Sequence, residues 1–235
     1  PEHRSGRADH AHALLGCHQG GAVCTSTNAR AILEWALERG DKTLFFPDQH
    51  LGRNTALAMG YGHVDTAKWN PHRDLGGLDE QVVLDTTFLL WRGHCTIHQR
   101  FRPEHIAAAR ETYPDLVVVA HPECSHEVCD LADEVGSTGY IIQAIAEKPA
   151  GSVIAVATEV HLVNRLAQEN PDKTIFCLDP VVCPCSTMSR IDLPHLAWIL
   201  EGLVEGDVRN VIAVDESTRE LSRQSLQTML DITAA

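Results

Sequence analysis

Cations are scarce in this sequence: 19 Lys and Arg stand against 32 Asp and Glu, for a formal net charge of −13. A face built for nucleic acid or an anionic membrane must be rich in Lys and Arg, so this balance argues against both. Long apolar runs are missing as well, none approaching the roughly 20 residues that cross a bilayer. The opening residues, Pro1 to Arg7, lack the apolar core of a signal peptide. An initiating Met is also absent, which points to a processed or partial chain. Nor do the eight cysteines show the spacing of a small disulfide scaffold. They are expected to be core or metal-binding thiols in a reducing compartment, with the cytoplasm as the expected location.

What is present is an alternation of apolar runs and helical patterns. The 235 residues, 44% of them apolar, are enough to bury a core as one large domain or two small ones. Strands are expected at 43–46, 89–91, 116–120, 152–157, 174–178 and 208–214. Helices are expected at 28–37, from 103 through 110, and at 128–134, 140–147, 159–169, 193–204 and 216–232. Residues 50–55 read as a loop or helix start. Such alternation predicts an α/β fold with parallel sheets covered by helices. The expected organisation is a tail over 1–22, an α/β unit over 23–100, a second over 101–183, and a closing segment over 184–235. Within the first unit, the Gly-rich residues 59–83 read as a surface excursion.

Chemistry concentrates where strands end. The run Leu89, Leu90, Trp91 leads through Gly93 to Cys95 and His98, the place where α/β proteins put ligands. Gly93 lets the backbone turn or approach something closely. Taken alone, Cys95 and His98 read as a packed thiol beside a surface histidine. The arrangement is echoed at Cys183 and Cys185, again after an apolar run and before a helical pattern. A Cys₃His zinc site from Cys95, His98, Cys183 and Cys185 is one reading, although a Cys-x-Cys pair is tighter than zinc sites usually use. The run 116–120 delivers His121 and Glu123 to a strand end, two residues apart and so on one face if extended. That pair suits proton transfer and recognition of a carboxylate or carbonyl, or else forms a structural ion pair. Ser26, Ser137 and Thr138 fall at helix starts, where they either cap or help bind an anion. Asp48, His50 and Arg53 stand out by composition without an assignable role.

Six ordered motifs together resemble the quinolinate synthase family. They are Trp91-x-Gly93-x-Cys95-x-x-His98, His121-Pro122-Glu123, Gly136-Ser137-Thr138, Cys185 through Met188 with Ser186 where proline is usual, the segment 24–29, and the segment 46–55. The resemblance runs from Cys24 to the end. It implies repeated three-layer αβα units around a pseudo-threefold axis, about two of them present here. It also implies condensation of iminoaspartate with dihydroxyacetone phosphate to quinolinate in NAD biosynthesis. A 4Fe–4S cluster held by three thiolates would serve as Lewis acid. Cys95 and Cys185 match two of those thiolates. His98, His121 and Glu123 match catalytic positions; Ser26, His121, Glu123, Ser137 and Thr138 match substrate-binding positions. An L-aspartate-oxidising enzyme is the implied supplier of the imine. The region before Cys24 is too short for the family's first unit and third cysteine, so this chain by itself is expected not to make quinolinate. An inactive fragment serving as a structural or binding protein is the alternative. Against the family pattern, 59–83 reads as an insertion of about twenty residues.

Overall fold

The computed structural model describes residues 20–181 and 183–234. Most of the expected tail over 1–22, Cys17 included, lies outside the described residues. Strand and helix alternate along the chain, and every strand pair is parallel. The first sheet is built from β1 (Thr43–Phe45), β2 (Thr66–Trp69) and β3 (Phe88–Trp91), in the order β1-β3-β2. Helices α1 (Ala29–Leu37), α2 (Gln49–Ala58) and α3 (Glu80–Asp85) connect or precede them. Ala29 and Leu33 of α1 and Leu51 and Ala56 of α2 close over Phe45, Phe88 and Leu90.

The second sheet has four strands, β4 (Val117–Ala120), β5 (Glu134–Val135), β6 (Val153–Ala157) and β7 (Thr174–Cys177), ordered β5-β4-β6-β7. Its helices are α4 (Pro103–Thr112), α5 (His126–Leu131), α6 (Thr138–Glu147) and α7 (Val160–Glu169). Val118, Ala120, Ala155 and Ala157 face one cluster with Ile106 of α4 and Val128 of α5. Their neighbours Val119, Ile154 and Val156 face the other, with Ile141 and Ile145 of α6 and Val163 and Leu166 of α7. The strand period of two thus fills both faces, giving three αβα layers. Each such Val or Ile contributes roughly 1.5–3 kcal/mol on burial. Helices α8 (Leu193–Glu205) and α9 (Glu216–Thr233) follow. The second of these returns to the first sheet's side and packs on α1, where Val23 N–H reaches the Ser225 carbonyl at 3.5 Å.

Three local expectations are corrected. Residues 59–83 are not only a surface excursion: β2 lies within them, pairing with β3 from Thr66 to Trp69 and burying Thr66 and Ala67. The helix expected at 128–134 starts earlier, at His126, and ends at Leu131, because Glu134 and Val135 pair with Val119 and Ala120. Residues 208–214 form no strand. Among the described residues no neighbouring strand accepts their N–H and C=O groups, and Asn210 turns to a φ of 55°. An apolar run without a ladder partner does not make a strand. Residues 50–55, by contrast, resolve as part of α2, capped by Asp48.

Gly93 is required by close approach: a Cβ there would collide with the Pro47 carbonyl, a backbone atom that cannot swing aside. Gln49 N–H also donates to the Gly93 carbonyl at 3.0 Å, so strand end and helix start are locked together. Gly93→Ala is expected to lower stability by about 1–3 kcal/mol, the range of overpacked sites. Urea denaturation measures it; an unchanged midpoint would mean that the two segments part easily.

Candidate functional site

Four strand ends meet in one polar group. Asp48 follows β1, Cys95 and His98 follow β3, His121 and Glu123 follow β4, and Thr158 follows β6. After β7 the chain passes Asp179 and leads on to Cys185. Ligand atoms of Cys95, His98 and Glu123 lie within 4.8 Å of one another. His98 Nδ1 meets Glu123 Oε2 at 2.9 Å, and its Nε2 meets Thr158 Oγ1 at 3.2 Å. The His121 ring stacks on His98 with centroids 4.4 Å apart and planes 11° apart. Both histidines are buried, while Glu123 and Cys95 keep partial access to solvent.

Protonation follows from these contacts. Burial pushes His98 down, but Cys95 and Glu123 beside it more than compensate and raise it to about 9. The ring is therefore an imidazolium at neutral pH. Burial likewise pushes Cys95 up and Glu123 up, and in each case the charged, hydrogen-bonding His98 outweighs it and leaves the group below its ordinary value. His121 goes the other way, lowered by burial and by the His98 charge, so it stays neutral. Its Nδ1 accepts from Glu123 N–H at 3.3 Å. A neutral ring accepting on Nδ1 carries its proton on Nε2, where it is a donor.

A second layer holds this group. Asp48 is buried; its Oδ1 accepts from His50 and Leu51 N–H at the start of α2, and its Oδ2 accepts from Cys95 N–H at 2.9 Å. One carboxylate therefore caps a helix and fixes the Cys95 backbone. Asn54, later on the same helix, donates from Nδ2 to the carbonyls of Pro122 at 2.8 Å and Cys124 at 2.9 Å. Those two carbonyls bracket Glu123, so α2 beside the first sheet clamps the loop that follows β4 of the second. Arg100 Nε contacts buried Asp179 at 2.7 Å, and Asp179 also accepts from Val181 N–H. This pair braces the turn after Cys95 against the segment leading to Cys185. Asn54→Ala would strip the Pro122 and Cys124 carbonyls of a partner and is expected to cost about 2–3 kcal/mol. Asn54→Asp, setting a carboxylate against two carbonyl oxygens, is expected to cost more. Chemical denaturation of both variants checks the order; a milder Asp variant would disprove the clamp.

The remaining sequence-expected residues sit around this centre. Ser137 caps α6, accepting from Tyr140 N–H at 3.3 Å, and Thr138 opens that helix. Gly136 N–H donates to the Ala120 carbonyl, placing the start of α6 beside the strand end that carries His121. Ser26 lies half-buried in the turn before α1, whose N-cap is Asn28. Cys185 is half-buried, and it and Cys95 both border the same apolar cluster. Neither Cys183 nor Cys185 joins the compact group of Cys95, His98 and Glu123, so the four-ligand zinc reading is not formed. Thiol acidity separates the cysteines. Cys185 is lowered by the Thr187 hydroxyl and the Met188 backbone, and Cys95 is lowered as described. Burial raises Cys24 to about 11, Cys129 to about 12, and Cys124 and Cys177 as well.

Sequence reasoning did not assign Asn54, Thr158, Arg100 or Asp179. For Thr158, Arg100 and Asp179 the only signal was position, in the segment after a strand end; Asn54 lies within the 46–55 motif but carried no assigned role.

Parallel strands delivering a Cys–His–Glu group at their C-terminal ends define an α/β protein with a polar site that carries an acidified thiol. Comparison with known proteins makes this specific. The family model for quinolinate synthetase A protein matches residues 11–231, opening ahead of the motif at Cys24. The chain belongs to that family. It is 54% identical over 216 residues to the quinolinate synthase of Corynebacterium glutamicum, covering 92% of this chain and 55% of that protein. Against the Rhodopirellula baltica quinolinate synthase it is 51% identical over 221 residues, covering 94% and 56%. The Bacillus subtilis quinolinate synthase is 47% identical, with coverage of 94% and 60%. The chain therefore spans little more than half the length of these curated relatives. Among the described residues no helix is long and apolar enough to cross a membrane.

Proposed function

We propose that this chain carries the acid–base group and two cluster thiolates of a quinolinate synthase, which condenses iminoaspartate with dihydroxyacetone phosphate to quinolinate for NAD biosynthesis. The observation that carries the reading is the 2.9 Å contact between His98 and Glu123 with Cys95 alongside. The donor chemistry fits an iron–sulfur cluster at two places. Cys95 and Cys185 are the described cysteines with lowered pKa, and the thiolate is the form that binds metal. The 4Fe–4S type and its third thiolate come from the family resemblance. When bound, such a cluster supplies an iron with an open position as a Lewis acid for substrate oxygen.

The chain's own residues supply the rest. Glu123, ionised by its contact with His98, takes a proton from carbon or nitrogen in the condensation and gives it up as water leaves. His98 keeps that carboxylate oriented through Nδ1 while Thr158 fixes the far side of its ring. His121 donates from Nε2 to a substrate carboxylate or carbonyl oxygen. Ser137, Thr138 and the start of α6 bind a phosphate or carboxylate. Ser26 is assigned to the same substrate-binding set. An L-aspartate-oxidising enzyme supplies the imine, and the cytoplasm is the proposed location.

The test is anaerobic reconstitution with iron and sulfide, followed by quinolinate assay of the chain alone and fused to the uncovered part of the Corynebacterium glutamicum protein. Quinolinate from the fusion is the expected result. A folded, iron-loaded fusion without quinolinate would leave the chain a structural or binding member of its family.

A further inference from the structure

Two histidines outside the Cys95 group meet between the two sheets. His63 opens the single turn His63–Asp65 that leads into β2. His126 is the first residue of α5, just past the loop that carries His121 and Glu123. Their ring centroids lie 4.7 Å apart, with the planes inclined at 69°. The lone pair of an imidazole nitrogen lies in the plane of its ring. Rings stacked nearly parallel, as His98 and His121 are at 11°, therefore cannot aim at one point, whereas steeply inclined rings can. The separation fits as well. Imidazole nitrogens bind zinc at about 2.0–2.1 Å, which puts two rings on one ion with centroids roughly 4.5–5.2 Å apart.

Edge-on ring packing is the competing account, and Tyr61 and Phe88 show it at 4.8 Å and 78°. Phe88 is fully buried, so apolar burial holds that pair. His63 is exposed and His126 half-buried, which leaves apolar burial little to hold. Neighbouring histidines are already engaged: His50 Nε2 meets Gln99 Oε1 at 2.9 Å, and His98 meets Glu123. Among the described residues, neither His63 nor His126 has a hydrogen-bond partner for its ring. A carboxylate stands beside the pair. Hydrogen bonds from its own backbone and from Ser125 hold exposed Glu127 below its ordinary value, and His126 and His50 lower it further.

We propose that His63 and His126 form a two-imidazole site for a divalent ion of the Zn²⁺ or Ni²⁺ kind, with water completing its coordination. Neutral imidazole suits such ions. The bound ion ties the turn before β2 to the start of α5, adding a second fastening between the sheets to the one that Asn54 makes. Glu127 offsets part of its charge. The site shares no residue with the Cys95 group and does not depend on the reaction proposed above.

Ni²⁺ is the probe, because imidazole suits it while soft thiolates select other metals. Calorimetry counts the ions bound by the unaltered chain, by His63→Ala, by His126→Ala, by the double variant, and by His72→Ala as an exposed control. Sites elsewhere, thiols included, are common to all five proteins and cancel. Each single variant is expected to lose one ion, the double variant the same one ion and no more, and His72→Ala none. Ni²⁺ is also expected to raise the unfolding midpoint of the unaltered chain and of His72→Ala above its effect on the other three. His63 is exposed, so its replacement leaves the fold intact. An unchanged count in either single variant would overturn the proposal and reduce the pair to ring packing. So would losses that add in the double variant, the mark of two histidines binding separately, or a Ni²⁺ effect on the midpoint that survives both replacements.

Discussion

Cys95→Ser is expected to abolish iron retention after anaerobic reconstitution, and Cys185→Ser to do the same, whereas Cys124→Ser keeps most of the iron. The three cysteines differ in what their sulfur already does. Cys95 is half-buried at a strand end, anchored by Asp48 through its backbone and lowered in pKa by His98. Cys185 is lowered by Thr187 and the Met188 backbone. Cys124 is fully buried, its thiol donating to the Ala157 carbonyl at 3.4 Å, and burial raises it well above its ordinary value. The thiolate is the form that binds metal, and burial disfavours that form at Cys124. Serine preserves shape in each case but hardly ionises, so the loss should be near complete at the two ligand positions. Iron and sulfide analysis, with the visible absorption band, reads the result. Iron retained by the Cys95 variant, or lost only from the Cys124 variant, would reverse the assignment.

Where the sequence was legible, burial explains why. The run Val117 to Ala120 is apolar throughout because both faces of its strand are covered. Strand β2 was overlooked for the opposite reason. It lies at the edge of its sheet, carries exposed Lys68, and alternates too briefly over Thr66–Trp69 to register. Residues 208–214 mislead because pattern states a capacity for pairing, and pairing needs an edge. The site divides in the same way. Cys95, His98, His121 and Glu123 announce themselves because reactive residue types fall at strand ends. Arg100 and Asp179, 79 residues apart, and Asn54, 68 residues from Pro122, work through contacts that only the folded chain creates. No local spacing encodes them.

Glu123→Gln is expected to leave iron content and fold intact while lowering quinolinate formation by roughly 10²–10⁴-fold, the range for removing a general acid–base group. Glutamine has nearly the shape of glutamate, so the hydrogen bond to His98 Nδ1 survives, with the amide oxygen accepting. The backbone N–H of residue 123 still reaches His121 Nδ1, and Asn54 still holds the flanking carbonyls, because none of those contacts uses the side-chain charge. What is lost is the ability to take a proton and return it. His98 also loses one of the two neighbours that raise its pKa, leaving Cys95. Catalytic and structural roles therefore separate cleanly in this variant. A structural ion pair would show itself as lost stability with turnover per folded molecule unchanged. A catalytic carboxylate shows unchanged stability, little change in KM, and collapse of kcat in the fusion that makes quinolinate. Near-normal kcat in Glu123→Gln would move proton transfer to another group, with the neutral His121 first in line.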